Sequence, residues 1–222
     1  NACIGDVVAN LYHWSGYEVT REYYFNNAGN QMTMLGLSVH SRYCQIFDSS
    51  YPFPEKGYEG EYISDIAKQL YDQHGNSLFE PTDSHIAVCK KAAEQWCTAS
   101  IQKTMSSLGI VHDVYFNEQT LYEDGSIDRT IQDLREKQLV YEKEGALWIA
   151  LSKIQEKLTD RVIVKSTGEP TYRLPDIAYH RNKFERGYDT IVDVFGVDHI
   201  ATVPDIIAAT KALGYDDEKI HV

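Results

Sequence analysis

The chain has 222 residues, 43% of them hydrophobic and 24% charged, and its 33 acidic against 21 basic side chains give a formal net charge of −12. That is the composition of a soluble globular protein, sized for one large domain or one domain carrying an insertion. The acidic balance argues against this segment alone gripping a nucleic-acid backbone, and no apolar run approaches the ~20 residues of a membrane span.

In chain order, NACIGDVVANLYHW sets Ile4, Val7, Val8, Leu11 and Trp14 at helical spacing, and Ser15-Gly16 supplies a stop. It reads as a helix already under way, and the closing DEKIHV as a strand just begun, so the chain is expected to be an excised piece of something longer. YEVTREYYFN is rich in β-branched and aromatic residues and predicts a strand. NNAGNQ is a turn cluster, and a helix follows through residues 32–47. Helix–strand–helix is the rhythm of a parallel α/β sheet. DSSYPFPEKGYEGEY (48–62) breaks it with two prolines and two glycines, and the segments that follow, YISDIAKQLYDQHG and SHIAVCKKAAEQWCTASIQKTMSSLG, are helical. Residues 48–109 are therefore expected to form a mainly helical insertion, with 1–47 and 110–222 sharing one parallel sheet. In that second part VHDVYFNE predicts a strand, and SIDRTIQDLREKQ a helix capped by Ser126. LVYEKEGALWIAL and RVIVKSTG predict short strands around an EKEG turn. A helix over about 176–186, the strand DTIVDVFG (189–196), a helix over 201–214 and a last strand complete the expectation.

The four cysteines (Cys3, Cys44, Cys89, Cys97) show no CxxC spacing, which points to plain thiols in a reducing, cytoplasmic setting and to no metal site. His74 and His85 lie too far apart for a ligand pair, and His40, His112 and His180 have no ligand partners nearby in sequence. Serine-hydrolase, Walker and GxGxxG motifs are missing. Two places could carry chemistry. In PTYRLPDIAYH, Pro175 suits a helix's first turn, so Asp176 falls in the opening turn and Tyr172 just before it. A carboxylate there is favoured by the exposed N–H groups and the dipole. In TIVDVFGVDHI a strand ends at Gly196 and offers Asp198 and His199, where ligands of open parallel sheets sit. On spacing alone Asp176 could be an ordinary helix cap and Gly196-Val197-Asp198 an ordinary turn. Together, two carboxylates and a phenol suit a cation, best of all a planar guanidinium.

GYEVTREYYFNNAGNQM, DRVIVKSTGEPTYRLPDIAYHRNKFERGYDTIVDVFGVDH and ALGYD resemble the catalytic domain of bacterial arginyl-tRNA synthetases, and the similarity runs over nearly the whole chain. The resemblance implies a class I, Rossmann-like α/β fold that joins arginine to ATP as an adenylate and passes it to tRNA(Arg), with Mg2+ accompanying ATP in the full-length enzyme. It assigns the guanidinium to Tyr172 and Asp176, places Asp198 on the arginine pocket, and puts Gly196 and His199 on the ATP side; it names no catalytic residue here. The family's His-x-Gly-His motif normally lies just upstream of Asn1 and its Lys-Met-Ser-Lys loop downstream of Val222, so these 222 residues alone are expected to be inactive. Two alternatives are a nucleotide-binding α/β nucleotidyltransferase and a non-catalytic synthetase paralogue.

Overall fold

The computed structural model describes the backbone of residues 1–222 and every side chain except that of Asp198. The chain divides into two compact units, Asn1–Tyr24 with Phe116–Val222, and Phe25–Tyr115. Helix α1 (Ala2–Trp14) and strand β1 (Glu22–Phe25) open the chain.

The second unit is helical. Helix α2 (Asn30–Gln45) packs with α3 (Glu61–His74) and α4 (Asp83–Ser107). Leu35, Val39 and Tyr43, spaced four residues apart on one face of α2, close on Ile63, Ile66, Leu70 and Cys89. The Thr82 hydroxyl accepts the His85 N–H at 3.3 Å and starts α4, as an N-cap should. The compact division falls before α2, at 24/25, and again at 115/116. The physical reason is that the apolar face of α2 is buried against α3 and α4.

Strand β2 (Val114–Asn117) pairs with β1. Then come α5 (Gln119–Glu123), α6 (Ser126–Glu136), the hairpin β3 (Val140–Lys143) and β4 (Ala146–Ile149), α7 (Leu151–Ile154) and β5 (Arg161–Val164). Helix α8 (Arg173–Glu185), β6 (Ile191–Val192), α9 (Val203–Leu213) and β7 (Ile220–His221) end the chain. Leu134, Ile149, Leu151, Ile163, Leu174, Ile177 and Ala209 form the core of this unit. Glu144 and Gly145, at φ 54° and 74°, make the two-residue hairpin loop that brings Lys143 opposite Ala146.

The class is α/β, but the strands do not share one parallel sheet. They form pairs β1-β2 and β6-β7 and a three-stranded set β3-β4-β5; β6-β7 is parallel, β3-β4-β5 antiparallel. The strand expected over 189–196 is shorter: Ile191 and Val192 pair with Ile220 and His221, and the Asp193 N–H still donates to the His221 carbonyl at 2.8 Å. Ser126 is not the cap of α6. Gly125 occupies that position at φ 75°, and the Asp124 carboxylate accepts the Ser126 N–H at 2.8 Å. Helices α5 and α7 were not foreseen; at five and four residues they are too short for a periodic signal. Among the described residues no helix is long and apolar enough to cross a membrane.

Candidate functional site

Pro175 is the third residue of α8, where its missing N–H costs nothing because the first four helical N–H groups lack intrahelical acceptors. Tyr172 stands at the N-cap, with 71% of its surface exposed, so its ring is available to cover a ligand. The first helical hydrogen bond runs from the Asp176 N–H to the Tyr172 carbonyl at 3.2 Å. No side chain caps this helix. Asp176 is therefore not a cap, and the expectation that helix N–H groups hold it ionised is not met. Burial raises its pKa above the usual carboxylate range, and Asp193 adds to the rise, against the lowering by His180, His199 and Lys183.

A second carboxylate belongs to the same place. Glu118, 5% exposed, precedes α5 and accepts the Tyr24 hydroxyl at 2.8 Å. Its pKa is raised by burial and further by the charge of Asp176, against the hydrogen bonds from Tyr24 and Tyr122. Burial and the same two carboxylates push the Tyr122 phenol up to about 12. Rings of Tyr24, Phe116 and Tyr179 pack beside it, with centroids 4.6 Å apart for Tyr24–Tyr179 and Phe116–Tyr179. Tyr179 and Arg186 both bind Glu22, Arg186 through two hydrogen bonds of 2.6 and 3.0 Å, so that third carboxylate is matched.

Behind Asp176 lies an ion cluster. Asp193 takes His180 Nε2 on one oxygen at 2.8 Å and the Lys183 ammonium on the other. Burial alone would raise the Asp193 pKa, but these two partners hold it at about 2. Lys183 Nζ also sits 4.3 Å from the centre of the Tyr179 ring. The Lys183 ammonium is thus committed to Asp193.

Asp176, His180, Phe195, His199, Val203 and Ile206 line a small pocket. The structure thus brings two residues expected from sequence, Asp176 and His199, to one pocket. The His199 ring stacks on Phe195 at 5.0 Å, and Gly196 precedes the single 3-10 turn Val197–His199. The Asp198 side chain lies outside the described residues. Sequence reasoning missed Glu118 and Tyr24, because each is a lone polar group in an extended stretch far from 172–199. It set His180 aside for want of neighbours in sequence; its partner Asp193 is thirteen positions away. Among the described residues no group of three or more His, Cys, Asp or Glu could hold a metal ion. Cys44 and Cys89 are buried free thiols, and burial pushes Cys89 up to about 12, which keeps it unreactive.

Residues 1–222 match the family described as class I tRNA synthetases (R), catalytic domain. The chain belongs to this family. It is 51% identical over its whole length to an arginine–tRNA ligase of Desulfotalea psychrophila and 50% identical over 99% of its length to that of Pelodictyon phaeoclathratiforme, in each case spanning 40% of the relative. A crystal structure of an arginyl-tRNA synthetase from Campylobacter jejuni superposes with a TM-score of 0.89 at 33% identity, over 99% of this chain and 48% of that one. A class I (R) catalytic domain gives the Rossmann-like α/β classification its basis, and the antiparallel β3-β4-β5 set is a local departure from a purely parallel sheet. The chain spans about 40% of the length of these curated relatives.

Proposed function

We propose that the chain carries the arginine pocket of an arginine–tRNA ligase, whose full-length form activates arginine with ATP and transfers it to tRNA(Arg) in the cytoplasm. The observation that carries this reading is Asp176: a carboxylate desolvated without capping its helix, beside a second buried carboxylate, Glu118. Leaving such groups desolvated is costly unless a cation joins them. A guanidinium fits better than an ammonium, because its planar fork can donate to both carboxylates at once. Tyr172 covers the guanidinium from the solvent side, and Asp198 is a further arginine-binding residue. Gly196 and His199 stand on the ATP side, where the arginine carboxylate attacks the α-phosphorus and pyrophosphate leaves. Mg2+ arrives on the ATP phosphates. Residues 48–109 act as a helical insertion in the catalytic domain.

Neither a His-x-Gly-His nor a Lys-Met-Ser-Lys motif occurs within the 222 residues. Losing one group that stabilises developing charge in a transition state commonly costs about 10² to 10³ in rate. Arginine-dependent exchange of pyrophosphate into ATP, with tRNA present, tests the reading. The full-length protein should exchange with arginine and not with lysine, and the isolated 222 residues should give no signal above blank. No exchange by the full-length protein would mean a paralogue that binds without catalysis; exchange by the isolated chain would mean the phosphate chemistry has been misplaced.

A further inference from the structure

The two walls of the pocket come from separate elements, and one buried side chain ties them together. His180, 3% exposed, lies one turn after Asp176 on α8. Its Nδ1 is 2.8 Å from the Asp176 main-chain carbonyl, and its Nε2 is 2.8 Å from an oxygen of Asp193, the residue that follows β6. A carbonyl and a carboxylate both accept, so the two ring nitrogens each face an acceptor oxygen, one on each element. Three residues beyond Asp193 the chain reaches Gly196 and then His199, the opposite wall.

We propose that His180 is a positioning residue for arginine recognition: through its two ring nitrogens it pins the turn of α8 carrying Asp176 to the end of β6. This rests on the arginine-pocket reading above. Lys183 shows what the histidine adds. It sits on the same helix and neutralises the same Asp193, so it already fastens α8 to β6. It has no bond to the Asp176 main chain and is absent from the pocket lining, whereas His180 has both. The ring is held by Asp193 and borders the pocket, where its proximity favours the ionised form of Asp176.

The test uses the full-length synthetase containing this chain, with arginine and ATP varied separately. His180→Gln should raise the KM for arginine about tenfold or more, the loss expected for one charge-assisted hydrogen bond, and leave the KM for ATP within about twofold. Lys183→Gln should lower the thermal midpoint but change the arginine KM by less than about threefold, as for a partner outside the pocket. Equal effects of both variants on arginine, or parallel losses for arginine and ATP, would overturn the proposal and leave a plain stability network. Asp176→Asn serves as the control: if it leaves the arginine KM unchanged, the pocket reading itself fails and this inference falls with it. A measurement on the unaltered enzyme avoids any folding defect. With ¹⁵N-labelled histidine, both His180 ring nitrogens should show hydrogen bonding, and a ring nitrogen free of any hydrogen bond would refute the bridge.

Discussion

Asp193 is the residue whose energetics are most sharply defined. The buried His180 and Lys183 converge on it, and its pKa falls from 3.8 to about 2 although burial alone would raise it. For a carboxylate depressed on folding, the stabilisation is fully present above the unfolded pKa and disappears as pH falls through the folded one. The window is therefore between about pH 4 and pH 2, and a shift of this size corresponds to roughly 2 kcal/mol. Urea titrations at pH 7, 4 and 2 should show that contribution lost over the acid interval in the wild type and absent from the Asp193→Asn difference at pH 2. At pH 7, Asp193→Asn should cost about 3–5 kcal/mol, because it strands the Lys183 ammonium as a buried charge. An unchanged midpoint at pH 7 would show that water reaches the cluster. None of this was readable from the sequence: Asp193 sits in an apolar run that looks like an ordinary strand, and only folding sets it against α8.

At the scale of elements, α2 and α4 define the helical unit through one close approach. Gly36 stands in the middle of α2, where glycine is a poor helix former by about 1 kcal/mol relative to alanine. A Cβ there would meet Lys90 Cβ, Cα and N at 3.0, 3.1 and 3.2 Å. Two of those three atoms are main chain and cannot swing away, so overpacking of about 1–3 kcal/mol outweighs the propensity gain. Gly36→Ala should lower the thermal midpoint despite improving the helix, and a raised midpoint would mean that α2 and α4 can separate freely. The long helices of this unit were legible because their apolar periodicity is strong and 48–62 is dense in proline and glycine. Which neighbours α2 joins was not, since its apolar face reads the same whether it covers a sheet or two helices. Strand pairing was legible least. The hairpin announced itself through Glu144-Gly145, but a two-residue parallel pair such as β6-β7 leaves almost no alternation to read.

For the whole molecule, the resemblance to the family was most specific over 160–199, and the proposed arginine and ATP residues Tyr172, Asp176, Gly196, Asp198 and His199 all fall there. Composition and spacing alone left Asp176 as either a cap or a ligand group, and the uncapped helix together with the buried Glu118 favours the second. The central claim is that this carboxylate pair receives the arginine guanidinium. The direct measurement is the separate steady-state KM for arginine and for ATP in the full-length enzyme carrying Asp176→Asn. The amide keeps the shape, removes the charge and turns a donor toward a donor, so arginine recognition should weaken by about 2–5 kcal/mol, roughly 30-fold or more in KM, with ATP nearly unaffected. An unchanged arginine KM, or equal losses for both substrates, would contradict the assignment and take Asp176 out of the arginine pocket.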